Sequence, residues 1–252
     1  MILRRVIAHF RKQEWTAIAI DFLIVVVGVF VGLQVSNWNA ARANQGIAAG
    51  HLTEIAQDLR SYLDFHDKLY DSAIARIAAV DYIYDKAFDR KLPDVLRLSV
   101  EMWDVPDTPA LKEEDLDVIM GSVNLIRITV GSRNGYESLI SSGHLGLIEN
   151  RDLARSIQQY YDQYDDVRDT AGDVFRPFRN DGVLASYKYG VSVFDERPVE
   201  EIIALAREHE EFAAYLRSAR EWGVVHAAFL DDLKTSTEAL LAEIDAELEN
   251  RK

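Results

Sequence analysis

Residues 16–35 read TAIAIDFLIVVVGVFVGLQV, and the reading of this stretch decides the rest. Its 20 residues hold one charge, Asp21, and one amide, Gln34. At about 1.5 Å per residue, a helix of that length spans about 30 Å, the thickness of a bilayer's hydrocarbon core. Trp15 and Trp38 bracket the run, where interfacial aromatic rings belong. No other part of the chain matches this stretch in apolar length.

Charge divides around it. Residues 1–14 carry Arg4, Arg5, Arg11 and Lys12 against Glu14, a net of +3. Residues 37–252 carry 24 basic and 40 acidic side chains, a net of −16. By the positive-inside rule the basic flank stays in the cytoplasm and the acidic bulk is exported. Ile2, Leu3, Val6, Ile7 and Phe10 oppose the basic residues, a pattern suited to lying on the inner leaflet. The small-x-small triplet Ala41-Arg42-Ala43 raises the alternative of a cleaved signal peptide. The apolar run is longer than a typical signal core, and Ser36-Asn37-Trp38-Asn39 separates it from those alanines. The sequence therefore predicts an uncleaved, single-pass inner-membrane protein with its N-terminus in the cytoplasm and its C-terminal domain in the periplasm.

Within the run, Gly28, Gly32 and Ser36 recur every four residues and share one helical face. Small residues let a second helix approach closely inside lipid, so the expected partners are the bilayer and a second membrane helix. That helix belongs either to another copy of the chain or to a different integral membrane protein. Asp21 is costly in hydrocarbon, about 2.5–3.5 kcal/mol on insertion scales, and should be paired, protonated or turned to a polar cavity.

Composition narrows the functions. The 252 residues include no cysteine, which excludes a disulfide framework, a thiolate metal site and a cysteine nucleophile. A net charge of −14 argues against binding nucleic acid through its phosphates. No P-loop, GxSxG or HExxH is present, and the six histidines show no two-histidine metal spacing. Asp165-Asp166-Val-Arg-Asp169 spells DDxxD, the motif that holds magnesium and diphosphate in isoprenoid enzymes. A second acidic cluster and basic diphosphate contacts are not evident, so with Asp162 and Asp173 it reads as a solvated acidic face. No catalytic residue, metal or cofactor is expected.

The exported part reads as helical. Residues 41–90 contain no proline, and Leu52, Ile55, Leu59, Tyr62, Leu63, His66, Leu69, Ala73, Ile77, Val80 and Tyr84 recur at spacings of three and four. Unbroken, that helix would be about 75 Å long. Gly46 and Gly50 are places for a bend, and Pro93 is the expected stop. A second stripe runs through Phe212, Tyr215, Ala219, Trp222, His226, Phe229, Leu233, Thr237, Leu240, Ile244 and Leu248. Two such helices can pair antiparallel along an apolar seam. His66 and His226 lie on the stripes and read as packed or hydrogen-bonded histidines rather than ligands.

Between them, shorter helices are expected at residues 93–102 and 112–120, around the turn Val105-Pro106-Asp107-Thr108-Pro109. Asn134 with Glu137 has capping-box spacing for a helix to Ser142, Gly143 can close it in a left-handed conformation, and Gly146 allows a second turn. Asn150 can cap a helix over 151–171, residues 187–194 alternate weakly enough to be extended, and Pro198 suits the first position of a helix carrying Glu200 and Glu201. The fold class is thus mainly α: one N-terminal transmembrane helix followed by an elongated antiparallel helical bundle. The organisation is a cytoplasmic basic segment (1–14), a transmembrane helix (15–38), a stalk helix (39–92), short helices and loops (93–197), and a C-terminal helix folding back on the stalk (198–252).

Two resemblances follow from these motifs. Asp21 ahead of an apolar run is similar, over about 15 residues, to the single membrane helix of proton-driven stator subunits, which also have a short basic cytoplasmic end and an exported domain. More broadly, Asp21 and the anchor end Gln34-Val-Ser-Asn37-Trp38-Asn39 resemble a family of uncharacterised bacterial single-pass membrane proteins. Tyr136-Glu-Ser-Leu-Ile-Ser-Ser-Gly-His-Leu and Tyr160-Tyr161 resemble the same family. The family implies topology and no activity. The function expected is a non-enzymatic scaffold or accessory subunit of a membrane protein complex. The alternative is a proton-linked accessory of a transport or stator-like complex that uses Asp21.

Overall fold

A computed structural model describes residues 15–98, 101–127, 131–193 and 195–251. The basic flank with Arg4, Arg5, Arg11 and Lys12 lies outside the described residues. The chain divides into two compact units, Met1–Gly50 and His51–Lys252. The fold is mainly α, with one two-stranded hairpin among the described residues. Helix α1 is Trp15–Phe88, and Gly46 and Gly50 lie inside it without ending it. It stops at Asp89, whose φ of 49° is left-handed, so the stop comes four residues before Pro93.

In the second unit, two long helices form the frame. The part of α1 from His51 onward buries Leu52, Ile55, Leu59, Tyr62, His66, Leu69, Ala73, Ile77, Val80 and Tyr84, the stripe read from spacing. The C-terminal helical region is two helices rather than one. Helix α7 (Val199–Glu208) and helix α8 (Glu210–Asn250) meet at the extended residue His209. Glu210 and Glu211 then open α8, where carboxylates favour a helix N-terminus. Pro198 is the residue before α7 rather than its first.

Three ion pairs fix the register of α1 against α8. Arg60 Nη2 lies 2.6 Å from Asp245, Lys234 Nζ 3.6 Å from Asp67, and Arg220 Nε 2.6 Å from Asp81. Numbers rise on α1 as they fall on α8, so the helices are antiparallel. Phe212, Ala219, His226, Leu233, Thr237, Leu240 and Ile244 of α8 are buried along that seam.

The intervening chain covers the seam. The described residues of the helix expected at 93–102 are strand instead. Strands β1 (Val95–Leu98) and β2 (Glu101–Asp104) pair antiparallel, with Leu96 opposite Trp103. Leu96 and Trp103 pack on Ala73, Ile77, Val224 and Ala227. As directly opposite residues they share one face of the two-stranded sheet, and that burial overrides the helical reading. The helix expected at 112–120 is two short ones, α2 (Glu113–Leu116) and α3 (Ile119–Asn124).

Helix α4 is Asn134–Ser141. Its preceding residue is Arg133, and Glu137 turns to the Arg133 guanidinium at 3.1 Å, so the expected capping box with Asn134 does not form. Gly143 has φ 72°, a left-handed turn leading into a 3₁₀ turn at His144–Leu147 that contains Gly146. Asn150 Oδ1 accepts from the Leu153 N–H at 3.2 Å and caps helix α5 (Arg151–Thr170). A π-helical turn at Ala171–Phe175 then leads into α6 (Arg176–Lys188). Residues 187 and 188, expected as extended, complete α6 instead.

Two main cores result. One joins α1 and α8 to α4 and α5 through Leu139, Ile157, Tyr161 and Leu240. The other joins them to α3 and α7 through Ile83, Met120, Ile202 and Phe212. Helix α4 sits unusually close to α1. The Gly135 N–H donates to Asp58 Oδ2 at 2.8 Å, and a Cβ built on Gly135 would lie 2.6 Å from the Ile55 backbone nitrogen. Gly135→Ala should therefore destabilise the domain by about 1–3 kcal/mol, the usual cost of overpacking. Denaturant titration with an unchanged midpoint would show that α4 can move away freely.

The ion pairs should differ in weight. Arg220 is nearly enclosed, donating also to the Pro93 carbonyl at 3.0 Å, whereas Arg60 and Asp245 are both solvated. Asp81→Ala should cost about 3–5 kcal/mol because it strands a buried cation, and Asp245→Ala at most about 1 kcal/mol. Equal midpoint shifts for the two variants would contradict this ranking.

Candidate functional site

Two regions carry side chains that sequence or structure singles out. The first is the apolar run of α1. Residues 19–46 are exposed along their whole length. Among the described residues this is the one stretch long and apolar enough to cross a membrane, and none of it is buried inside the protein. That distinguishes it from a core helix of a water-soluble domain. Gly28, Gly32 and Ser36 are all exposed, and a Cβ on either glycine would meet nothing within 4 Å. Asp21 is exposed among apolar side chains. Gln34, Asn37, Trp38 and Asn39 follow as an exposed polar end, and the Arg42 guanidinium lies 5.8 Å from the Trp38 ring centre. Trp15 is the first residue of α1.

The second region lies inside the helical domain, and sequence reading did not single out its centre. Arg76 of α1 is 0% exposed. Its Nη2 donates to the Leu125 carbonyl at 2.8 Å, at the end of α3, while Nε and Nη1 have no partner. The contact is favourable, because helix C-termini expose unpaired carbonyls to which a cation is drawn. Burial pulls the guanidinium down to about 10, so it stays charged at neutral pH.

Around it stand other buried polar groups. His226 of α8 is packed against Phe175, ring centres 4.9 Å apart, and its Nδ1 has no partner. Burial first, and the Arg76 charge second, lower His226 to about 3, so the ring is neutral at physiological pH. The Tyr215 hydroxyl donates to Asn124 Oδ1, and Asn124 Nδ2 is left without an acceptor. Burial raises the Tyr215 phenol to about 12, against the opposing pull of Arg76. Ser186 is buried as well, its hydroxyl donating to the Gly182 carbonyl at 2.9 Å.

Local structure explains the arrangement. The π turn at Ala171–Phe175 adds a residue to one helical turn and carries Phe175 into contact with both Trp222 and His226. Beside Arg76, α1 is rich in alanine (Ala73, Ala75, Ala78 and Ala79), which leaves room for its long side chain. That signal was present in the sequence: a lone arginine three residues after Ala73 and four before Val80.

Other expected features resolve as follows. His66 is packed between Tyr62 and Tyr70 and bonds Asp67 at 3.2 Å. Two of the three DDxxD carboxylates face arginines, Asp165 bound by Arg133 and Arg168 and Asp169 by Arg168, while Asp166 is exposed. The fold also joins His51 Nε2 to His144 Nδ1 at 3.0 Å, a pair 93 positions apart that spacing could not reveal. Among the described residues no cluster of three or more histidine, cysteine, aspartate or glutamate side chains is placed to hold a metal. Comparison with protein families, with characterised proteins and with solved structures yields no match to this chain.

The buried histidine sets a pH dependence. A neutral His226 in the fold and an ordinary histidine near 6.5 in the unfolded chain mean that the unfolded state binds the extra proton. Its contribution to stability is complete above about pH 6.5 and is lost progressively as pH falls towards 3. Between pH 7.5 and 5 the loss is about 2 kcal/mol. Unfolding midpoints at the two pH values should differ less in His226→Gln than in the wild type. Identical slopes would mean that this ring does not titrate on unfolding.

Proposed function

We propose that this chain is a single-pass membrane protein, with the apolar run of α1 as its uncleaved anchor. The helical unit then acts as a non-enzymatic scaffold or accessory subunit of a membrane protein complex. One observation carries the reading. An apolar run long enough to cross a bilayer is wholly unburied, while the helical unit completes its own cores without it. An unburied apolar surface of that extent exceeds the few hundred Å² that soluble monomers expose. The charge split around the run supports an inner-membrane location with Arg4, Arg5, Arg11 and Lys12 in the cytoplasm and the acidic domain outside. The open face of Gly28, Gly32 and Ser36 supports close contact with a second helix, from another copy or another membrane protein.

Native mass spectrometry of the full chain in mild detergent tests both parts. An intact N-terminus that resists alkaline extraction from membranes is expected, together with a stoichiometric partner or a homo-oligomer. Gly28→Leu or Gly32→Leu should disperse that assembly. A mature chain beginning near residue 44 would overturn the anchor, and unchanged assembly in both glycine variants would remove the small-residue face.

The exposed position of Asp21 on the same helix supports a second reading, a proton-linked accessory role, because a carboxylate facing lipid needs a partner or a proton. Asp21→Asn should leave a scaffold assembled and working, and abolish an ion-coupled activity.

A further inference from the structure

Arg76 is a buried charge without a counterion. The other buried arginine among the described residues, Arg220, is matched by Asp81 and the Pro93 carbonyl. Arg76 has one carbonyl, and both Nε and Nη1 point at nothing that accepts. Among the described residues no carboxylate is bonded to it, and burial is the main influence on the charge. An unpaired buried charge costs several kcal/mol, and a leucine or methionine at this position would avoid that cost. The neighbouring orphan polar atoms add to it. Asn124 Nδ2 is a further donor without an acceptor, and His226 Nδ1 is likewise unpartnered. A set of unused donors around a cation is complementary to an oxyanion.

These three side chains are buried, but chain neighbours of Arg76 and Asn124 line a groove. A groove of about 260 Å³ runs between α1 and α3, lined by Ser72, Ala75, Val118, Gly121, Ser122 and Leu125. Ala75 precedes Arg76 in the chain, and Leu125 is the residue whose carbonyl holds Nη2. The walls are apolar except for two hydroxyls. Val118 and Leu125 are each more than a third exposed, so the groove opens to solvent. Helix α3 is only six residues long and carries no side-chain cap, so it is the element best able to shift and uncover the guanidinium.

We propose that Arg76, uncovered by a shift of α3, binds a small organic anion, a carboxylate with a short apolar body. The carboxylate takes the free guanidinium nitrogens and the Asn124 amide, and the body lies in the groove between α1 and α3. Arg76 is then the counter-charge of a ligand rather than a structural defect, and ligand binding offsets the cost of the unpaired buried charge. The neutral state of His226 suits this role, since a second cation would compete with Arg76 for the same anion, and its Nδ1 can stay an acceptor for a protonated group.

Thermal unfolding of the full chain in non-ionic detergent, titrated with sodium hexanoate, tests the proposal. Inorganic phosphate and hexanol serve as charge-only and tail-only controls. Hexanoate should raise Tm in a saturable way, more than phosphate, while hexanol should not. Arg76→Met keeps the length and removes the charge. It should lose the hexanoate shift while folding as well as the wild type or better, because the unpaired charge is gone. Arg76→Lys keeps a charge without the planar fork and should weaken hexanoate binding by about tenfold or more. No shift of the wild type by hexanoate, or an equal shift in Arg76→Met, overturns the proposal. Equal shifts from phosphate and hexanoate overturn the assignment of the groove to the apolar body.

Discussion

The antiparallel seam between α1 and α8 sets the terms for everything else in the helical domain. Leu52 to Tyr84 on one side and Phe212 to Ile244 on the other bury a continuous stripe. Burial of that stripe is the dominant favourable term, and it is non-directional. Direction and register come from polar groups at its edges, above all Asp81 with Arg220, where misalignment would strand an enclosed cation. A two-helix seam leaves each helix with a second flank uncovered. Helices α3 to α7 and the hairpin exist in their observed places because they close those flanks. Leu96 and Trp103 cover the middle of the seam, Leu139 and Ile157 one end, and Met120 and Ile202 the other.

The middle of the seam is also where packing is least uniform. The apolar clusters there are small, and the polar groups Arg76, Asn124, Ser186 and His226 are all buried close by. A π turn interrupts the helical path from α5 to α6 at the same level and inserts Phe175 against His226. Each departure has a local cost, whether an unused donor, an unpaired charge or an irregular turn. Unused polar atoms also occur in the first core, at Tyr62, His66 and Tyr161. What sets the seam middle apart is charge: the Arg76 guanidinium is buried there with a single carbonyl as its partner among the described residues.

The apolar run of α1 obeys a different rule. In the helical domain an apolar side chain is paired with another element, whereas along the run every described side chain is exposed. The solvent that suits such a surface is hydrocarbon, where a helix satisfies its own backbone and needs no partner for its side chains. Small residues at four-residue spacing and an acid on the same helix then acquire meaning only relative to lipid or to a neighbouring helix.

Sequence alone determined what depends on local chemistry and periodicity. The apolar run, the two stripes, the left-handed Gly143, the Asn150 cap and the mainly α class all follow from side-chain type and spacing, because a helix repeats every 3.6 residues and burial follows that repeat. Tertiary structure decided the rest. Val95–Leu98 and Glu101–Asp104 became paired strands because Leu96 and Trp103 found a surface on α1 and α8 that a short helix would not have matched. Glu137 left Asn134 for Arg133, since a guanidinium was within reach. The C-terminal helix split at His209, a break that no proline or glycine marks. Spacing from Ala73 and Val80 put Arg76 on the apolar stripe, but only the packing around it showed that the charge is enclosed and held by the Leu125 carbonyl. Long-range neighbours have no fixed spacing in the chain, so the groups that define the buried site could be brought together only by the fold.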